Sequence, residues 1–133
     1  MKKEVLIVED DTTSDYLLSI LVTEMSKEIL HAKNGLEAVE LCRENTDIDL
    51  ILMDVKMPVM DGFDACLALK ANPDLEHIPV IFMTGLSDTE HVIKGFEVGG
   101  IDYITKPINH NELLVRMRAH LASSKATMSA REA

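Results

Sequence analysis

No apolar run in the 133-residue sequence approaches the about 20 residues that a membrane-spanning helix requires. The opening MKKEVLIVEDD starts basic, but only four apolar residues pass before acids follow. That is too short for a signal peptide, and the cytoplasm is the expected location. Positive charge is scarce: 13 Lys and Arg stand against 23 Asp and Glu, a net charge of −10. Such a balance argues against direct binding to nucleic acid or to an anionic membrane, both of which need clustered positive charge. There are two cysteines, Cys42 and Cys66, in apolar helical patterns and without CxxC spacing. They read as reduced thiols, not as a disulfide or a metal pair. The histidines His31, His77, His91, His110 and His120 show no HExxH or comparable ligand spacing, and none is assigned a role. A Gly-rich phosphate loop of the GxGxxG or GxxxxGK[ST] kind is missing, which removes nucleotide- and flavin-binding readings.

What is present is a globular composition, 47% hydrophobic and 27% charged, in a length suited to one domain. Short apolar runs alternate with segments of helical period. VLIV (5–8) is β-branched-rich, as in a strand buried on both faces. DYLLSILVTEM (15–25) sets Leu17, Leu18, Leu21 and Met25 on one helical stripe. ILHA (29–32) is a second strand, followed by an Asn34-Gly35 turn and a helix facing inward through Leu36, Val39 and Cys42 or Arg43. LILM (50–53) is the third strand; Asp61, with Asp64 three residues on, caps a helix that ends before Asn72-Pro73. VIFM (80–83) is the fourth, and Ser87 with Glu90 forms a capping box for a helix closed by Gly99-Gly100. IDYI (101–104) alternates like an exposed edge strand, and Asn109 caps a last helix bearing Leu113, Leu114, Met117, His120 and Leu121. Five strand–helix alternations predict an α/β fold, a parallel sheet with helices on both faces. Bulky apolar residues thin out after Ala122, so the domain is expected over 1–122, with 123–133 a helical extension or the start of a linker.

Sheets of this kind bind ligands outside the carboxyl ends of their strands. The first strand is followed by Glu9, Asp10 and Asp11, the third by Asp54, the fourth by Thr84-Gly85 and the fifth by Lys106-Pro107. Two like charges about 4 Å apart repel by roughly 4 kcal/mol at an effective dielectric of 20, so clustered carboxylates need a cation or a proton. Oxygen donors without His or Cys favour a hard ion, Mg²⁺. Asp54 then suits a nucleophile that forms an aspartyl phosphate, with Lys106 and Thr84 holding the phosphoryl oxygens. A single acid at a strand end is most often a helix cap or a loop residue; the coincidence of these groups at four ends is what points to chemistry. Asp11, Thr12, Thr13 and Ser14 read as the cap of the first helix, with Asp11 also near the metal.

VEDD, MDVKMPVMDG, MTG and DYITKP, in this order and spacing, resemble the receiver domain of two-component response regulators, over residues 3 to about 122. The resemblance implies a flavodoxin-like (βα)5 doubly wound fold of five parallel strands in the order 2-1-3-4-5. It implies that Asp54 is the phosphoacceptor, that Asp10 is a direct Mg²⁺ ligand and that Glu9 acts through water. Lys56 would give the metal its backbone carbonyl. Thr84 would be the switch hydroxyl, Tyr103 the aromatic switch residue and Lys106 the phosphoryl partner, its bond to Pro107 cis. Glu9 replaces the more frequent Asp and Gly85 the common Ala; Lys56 and Leu86 border the site, where they would tune the phosphoryl lifetime.

The implied function is a phosphorylation-activated switch that only gains and loses its own phosphoryl group and is no conventional enzyme. Its donor would be a sensor histidine kinase or a phosphotransfer protein. Its output domain would be linked or separate, and dimerisation would follow phosphorylation. The stretch GGIDYITKPINHNELLVRMRAHL looks most like receivers coupled to hybrid kinases or to cyclic-dinucleotide enzymes. One alternative is a receiver-fold docking module that works without phosphorylation, but such a module would have lost an acid, the Thr or the Lys. Another is a phosphatase of haloacid dehalogenase type, which wants an acid two residues after the nucleophile, where Lys56 stands.

Overall fold

The computed structural model describes residues 3–26, 28–85 and 89–132, with side chains described as far as Ala122. The chain runs β1 (Glu4–Val8), α1 (Thr12–Val22), β2 (Glu28–Ala32), α2 (Gly35–Glu44), β3 (Leu50–Asp54), α3 (Gly62–Lys70), β4 (Val80–Gly85), α4 (Thr89–Glu97), β5 (Asp102–Lys106) and α5 (His110–Glu132). The five strands form one parallel sheet in the order β2-β1-β3-β4-β5, as the resemblance implied.

Successive side chains of the central strands point to opposite faces, and both faces are covered. Leu6, Val8, Ile51, Met53, Val80 and Phe82 join one core with Val39 and Cys42 of α2 and Phe63, Cys66 and Leu69 of α3. Val5, Ile7, Leu50, Leu52, Ile81 and Met83 join the other with Leu18 and Val22 of α1 and Leu113, Met117 and Leu121 of α5. Full burial of one such aliphatic or aromatic side chain contributes about 1.5–3 kcal/mol, which is why the continuous apolar runs become the central strands. Burial pushes the Cys42 thiol up to about 12 and the Cys66 thiol to about 11, so both are inert, free thiols of the core.

The helices start where a side-chain oxygen meets the amide three residues on: Asp11 at Ser14, Asn34 at Glu37, Asp61 at Asp64 and Asn109 at Glu112, all at 2.8 or 2.9 Å. The cap expected at Ser87, like Leu86, lies outside the described residues.

Two helical faces differ from expectation. Leu17 is 56% exposed, and α1 packs instead through Leu18 and Val22 with Leu21 and Met25 beside them. In α2, Leu36 is 42% exposed, while Val39 and Cys42 face inward as expected, with Ala38 beside them. The rest of each expected stripe, Leu18, Leu21 and Met25 for α1 and Val39 and Cys42 for α2, does pack inward at i, i+3 or i, i+4 spacing. Strands β3, β4 and β5 also run further than their apolar runs, so that Asp54, Thr84 and Lys106 are themselves strand residues. Their side chains are thereby set by the sheet and not by a loop.

Candidate functional site

Parallel strands bring these residues to one edge. Thr84 stands in register with Thr105, and Gly85 with Lys106. Glu9 follows β1 directly and is nearly completely buried. Its Oε2 accepts the Asp10 backbone N–H at 3.1 Å, and its Oε1 accepts from Lys106 Nζ at 2.9 Å. Asp54 is also buried; its Oδ1 accepts the Val55 N–H at 2.9 Å and its Oδ2 lies 3.3 Å from Lys106 Nζ. One ammonium thus serves two carboxylates from two strands. Asp10 is exposed beside them, and Glu9, Asp10 and Asp54 each offer an oxygen within 4.8 Å of the others.

The electrostatics follow from this crowding. Burial raises the pKa of Glu9, the hydrogen bond and charge of Asp54 raise it further, and Lys106 works against both. Burial alone would lower Lys106, but its bond to Glu9 and the charges of Asp54 and Glu9 prevail and hold its pKa above the ordinary value. Two buried acids facing one lysine remain one positive charge short, and Asp10 adds a third acid at the open side. The donor set, three carboxylates with solvent access and no soft ligand, fits a hard divalent ion that keeps some of its water.

The other residues fall around this centre. The Lys106–Pro107 bond is cis. Thr84 is buried. At Gly85 an added Cβ would meet nothing within 4 Å, so the absence of a methyl group leaves open space there. Lys56 is exposed and Val55, before it, donates to Met83 O at 3.3 Å. The Asp54 carbonyl is approached so closely by Gly62 that a Cβ there would lie 2.2 Å from it. Asp11 caps α1, accepting from both the amide and the hydroxyl of Ser14, and these bonds lower its pKa. It is not in the three-acid group.

Tyr103 stands earlier on β5, in register with Phe82, and lines a small void together with Thr84. Sequence reasoning missed Asp102, Arg116 and His120, which join β5 to α5 through bonds of 2.7 and 2.9 Å. It also missed Val59, which has φ +69° in the loop after the site. Spacing in the sequence signals neither, apart from Val59 following Pro58.

Residues 5–118 match the family described as "Response regulator receiver domain". The chain belongs to this family. Receiver domains are phosphorylation-activated switches of two-component signalling, and as a family they bind Mg²⁺ at an acidic cluster in the active-site cleft. Among curated proteins, the receiver is 40% identical to the transcriptional regulatory protein YvrH of Bacillus subtilis, over 94% of this chain and 53% of that protein. It is 37% identical to a Vibrio cholerae protein described as "Probable cyclic di-GMP phosphodiesterase", over 92% of this chain and 27% of that protein. The receiver therefore spans about half of one of these relatives and about a quarter of the other. Among solved structures, the signal receiver domain of a signal transduction histidine kinase from Syntrophus aciditrophicus superposes with a TM-score of 0.82 at 41% identity, covering 91% of each chain. Among the described residues, no helix of the receiver is long and apolar enough to cross a membrane.

Proposed function

We propose that Asp54 is the phosphoacceptor. The observation that carries this is the sharing of Lys106 Nζ between Glu9 Oε1 at 2.9 Å and Asp54 Oδ2 at 3.3 Å, in a buried corner with an excess of negative charge. An Asp54 oxygen attacks the phosphorus of a phosphohistidine; the P–N bond breaks, the electron pair leaves with the imidazole nitrogen, and an acyl phosphate remains on Asp54. Glu9, Asp10, Asp54 and the Lys56 carbonyl would hold Mg²⁺, which supplies charge neutralisation at the phosphoryl oxygens. Lys106 leaves Glu9 to pair with a phosphoryl oxygen, and the Thr84 hydroxyl donates to another. Tyr103 follows Thr84, and the surface of α4, β5 and α5 changes what it binds.

The donor in this reading is a sensor histidine kinase or a phosphotransfer protein. A largely apolar groove of about 470 Å³ between α1 and the β5–α5 loop supports it, since Leu17, Ile20, Leu21 and Ile108 line it together with Glu9 and Lys106. A helix seated there would bring its histidine to the acids. We place the protein in the cytoplasm, with the domain ending near Ala122 and the continued α5 leading toward an output region, linked or separate. Phosphorylation promotes its dimerisation, and the domain itself contacts neither nucleic acid nor membrane. It turns over no substrate other than its own phosphoryl group.

Incubation with acetyl phosphate, with and without Mg²⁺, followed by mass spectrometry tests the assignment. One phosphoryl adduct is expected on the wild type with Mg²⁺, and none on Asp54→Asn. A metal-dependent adduct that survives in Asp54→Asn would falsify it.

A further inference from the structure

Tyr103 is gripped from two helices. Phe96, on α4, forms a T-shaped pair with its ring, at a centroid distance of 6.1 Å and an interplanar angle of 87°. The Arg116 guanidinium, on α5, lies 5.8 Å from the ring centroid. The same ring borders a void of about 10 Å³, lined also by Thr84, Phe82 and His91. That is room for about one water.

Arg116 is itself fastened. Its Nη1 donates to Asp102 Oδ1 at 2.7 Å and its Nε to Glu112 Oε1 at 3.2 Å. Asp102 is fixed in turn, because Oδ1 also accepts the Tyr103 backbone N–H at 2.8 Å and Oδ2 pairs with His120 Nε2 at 2.9 Å. A guanidinium held by two carboxylates presents its flat face in one place, and an aromatic face attracts a cation so placed.

The phosphoryl chemistry makes no use of Arg116. We infer that Arg116 is a positioning residue that holds the Tyr103 ring at the rim of the Thr84 void in the unphosphorylated receiver. Through Asp102 and Glu112, helix α5 thereby sets how readily the ring moves when Thr84 does. The second half of this inference rests on the proposed function; the first does not. An ordinary ion pair between Arg116 and Asp102 would fasten α5 to β5 without governing the ring, and the experiment separates the two.

The sequence contains no tryptophan and two tyrosines, and Tyr16 is 66% exposed on α1. In a Tyr16→Phe background the full chain therefore fluoresces from Tyr103 alone. Acrylamide quenching without any phosphodonor reads the accessibility of that ring. Arg116→Gln is expected to raise the quencher-exposed population about 2- to 5-fold, the size of a cation–π contact at a partly exposed site. Arg116→Lys, which keeps the charge but not the flat fork, falls between, and Glu112→Gln shifts in the same direction by less. Unchanged quenching in folded Arg116→Gln overturns the inference, as does full recovery of the parent value in Arg116→Lys. If Arg116→Gln does not fold, Glu112→Gln decides, and unchanged quenching there overturns it.

Addition of Mg²⁺ with beryllofluoride, a phosphoryl analogue, tests the coupling. The parent should shift and Arg116→Gln should shift less. An equal shift in both overturns the coupling. No shift in any protein counts instead against the proposed function and leaves the quenching result without analogue standing.

Discussion

Val59 is the residue at which the backbone works hardest. Its φ of +69° is a left-handed conformation that a β-branched side chain adopts at a cost, and its side chain is 78% exposed, so packing returns nothing. Met60 N–H closes onto Pro58 O at 2.8 Å around it, a three-residue turn that brings the chain from Asp54 back to the cap of α3 at Asp61. Val59→Gly keeps the turn and removes most of the strain, since a residue without Cβ adopts positive φ at no steric cost. We expect a gain of about 1 kcal/mol, seen as a higher urea midpoint at unchanged slope. A lower midpoint would mean that the valine side chain makes contacts its exposure does not suggest. At the same scale, the acids and the lysine of the site were legible because each ends or follows an apolar run. Val59 was not, since only the closed turn reveals its sign of φ.

At the scale of elements, the join of β5 to α5 carries the pH dependence. Burial works to raise the Asp102 carboxyl, but its hydrogen bonds to His120, Arg116 and the Tyr103 amide prevail and hold its pKa below the ordinary 3.8. A folded pKa below the unfolded one means that the stabilisation is fully present above 3.8 and is lost as pH falls through the lower folded value. Wild type should therefore lose its advantage over Asp102→Asn on acidification from about pH 5 to about pH 2, as measured by urea unfolding at each pH. A stability difference that stays constant over this range would mean that Asp102 contributes through shape and not through charge.

The same join shows where sequence reading stops. The strands were legible because parallel strands covered on both faces read as unbroken apolar runs. The face of α1 was legible in part: Leu18, Leu21 and Met25 pack inward as expected, but apolar residues surround the helix almost completely, and only contact with the sheet shows that Leu17 turns out and Val22 turns in. The partners of Asp102 lie 14 and 18 residues away, and what brings them together is α5 packing back along its own strand.

At the scale of the molecule, a net charge of −10 meets a site that is short of positive charge. Binding of Mg²⁺ to the folded chain alone must then stabilise the whole domain. At ten times its dissociation constant the ion should add about 1.4 kcal/mol, a rise in melting temperature of about 4–6 °C for a domain of this size. Differential scanning calorimetry of wild type and Asp10→Asn checks this, with most of the rise expected to vanish in the variant. A rise of equal size in Asp10→Asn would remove Asp10 from the ligands and place the ion elsewhere.

Lys106 also has a mechanical side. Its strand, β5, is separated from β1 by β4 and β3, yet its ammonium holds Glu9 beyond the end of β1 and Asp54 at the end of β3. It is a cross-brace between strands that share no backbone hydrogen bonds with its own. Were the brace drawn toward a phosphoryl group on Asp54, as proposed above, its grip on β1 would be released while its grip on β3 was kept. The tie would then span three strands instead of four, while α1 and α5 stay joined through the core that Leu18, Val22, Leu113 and Met117 share.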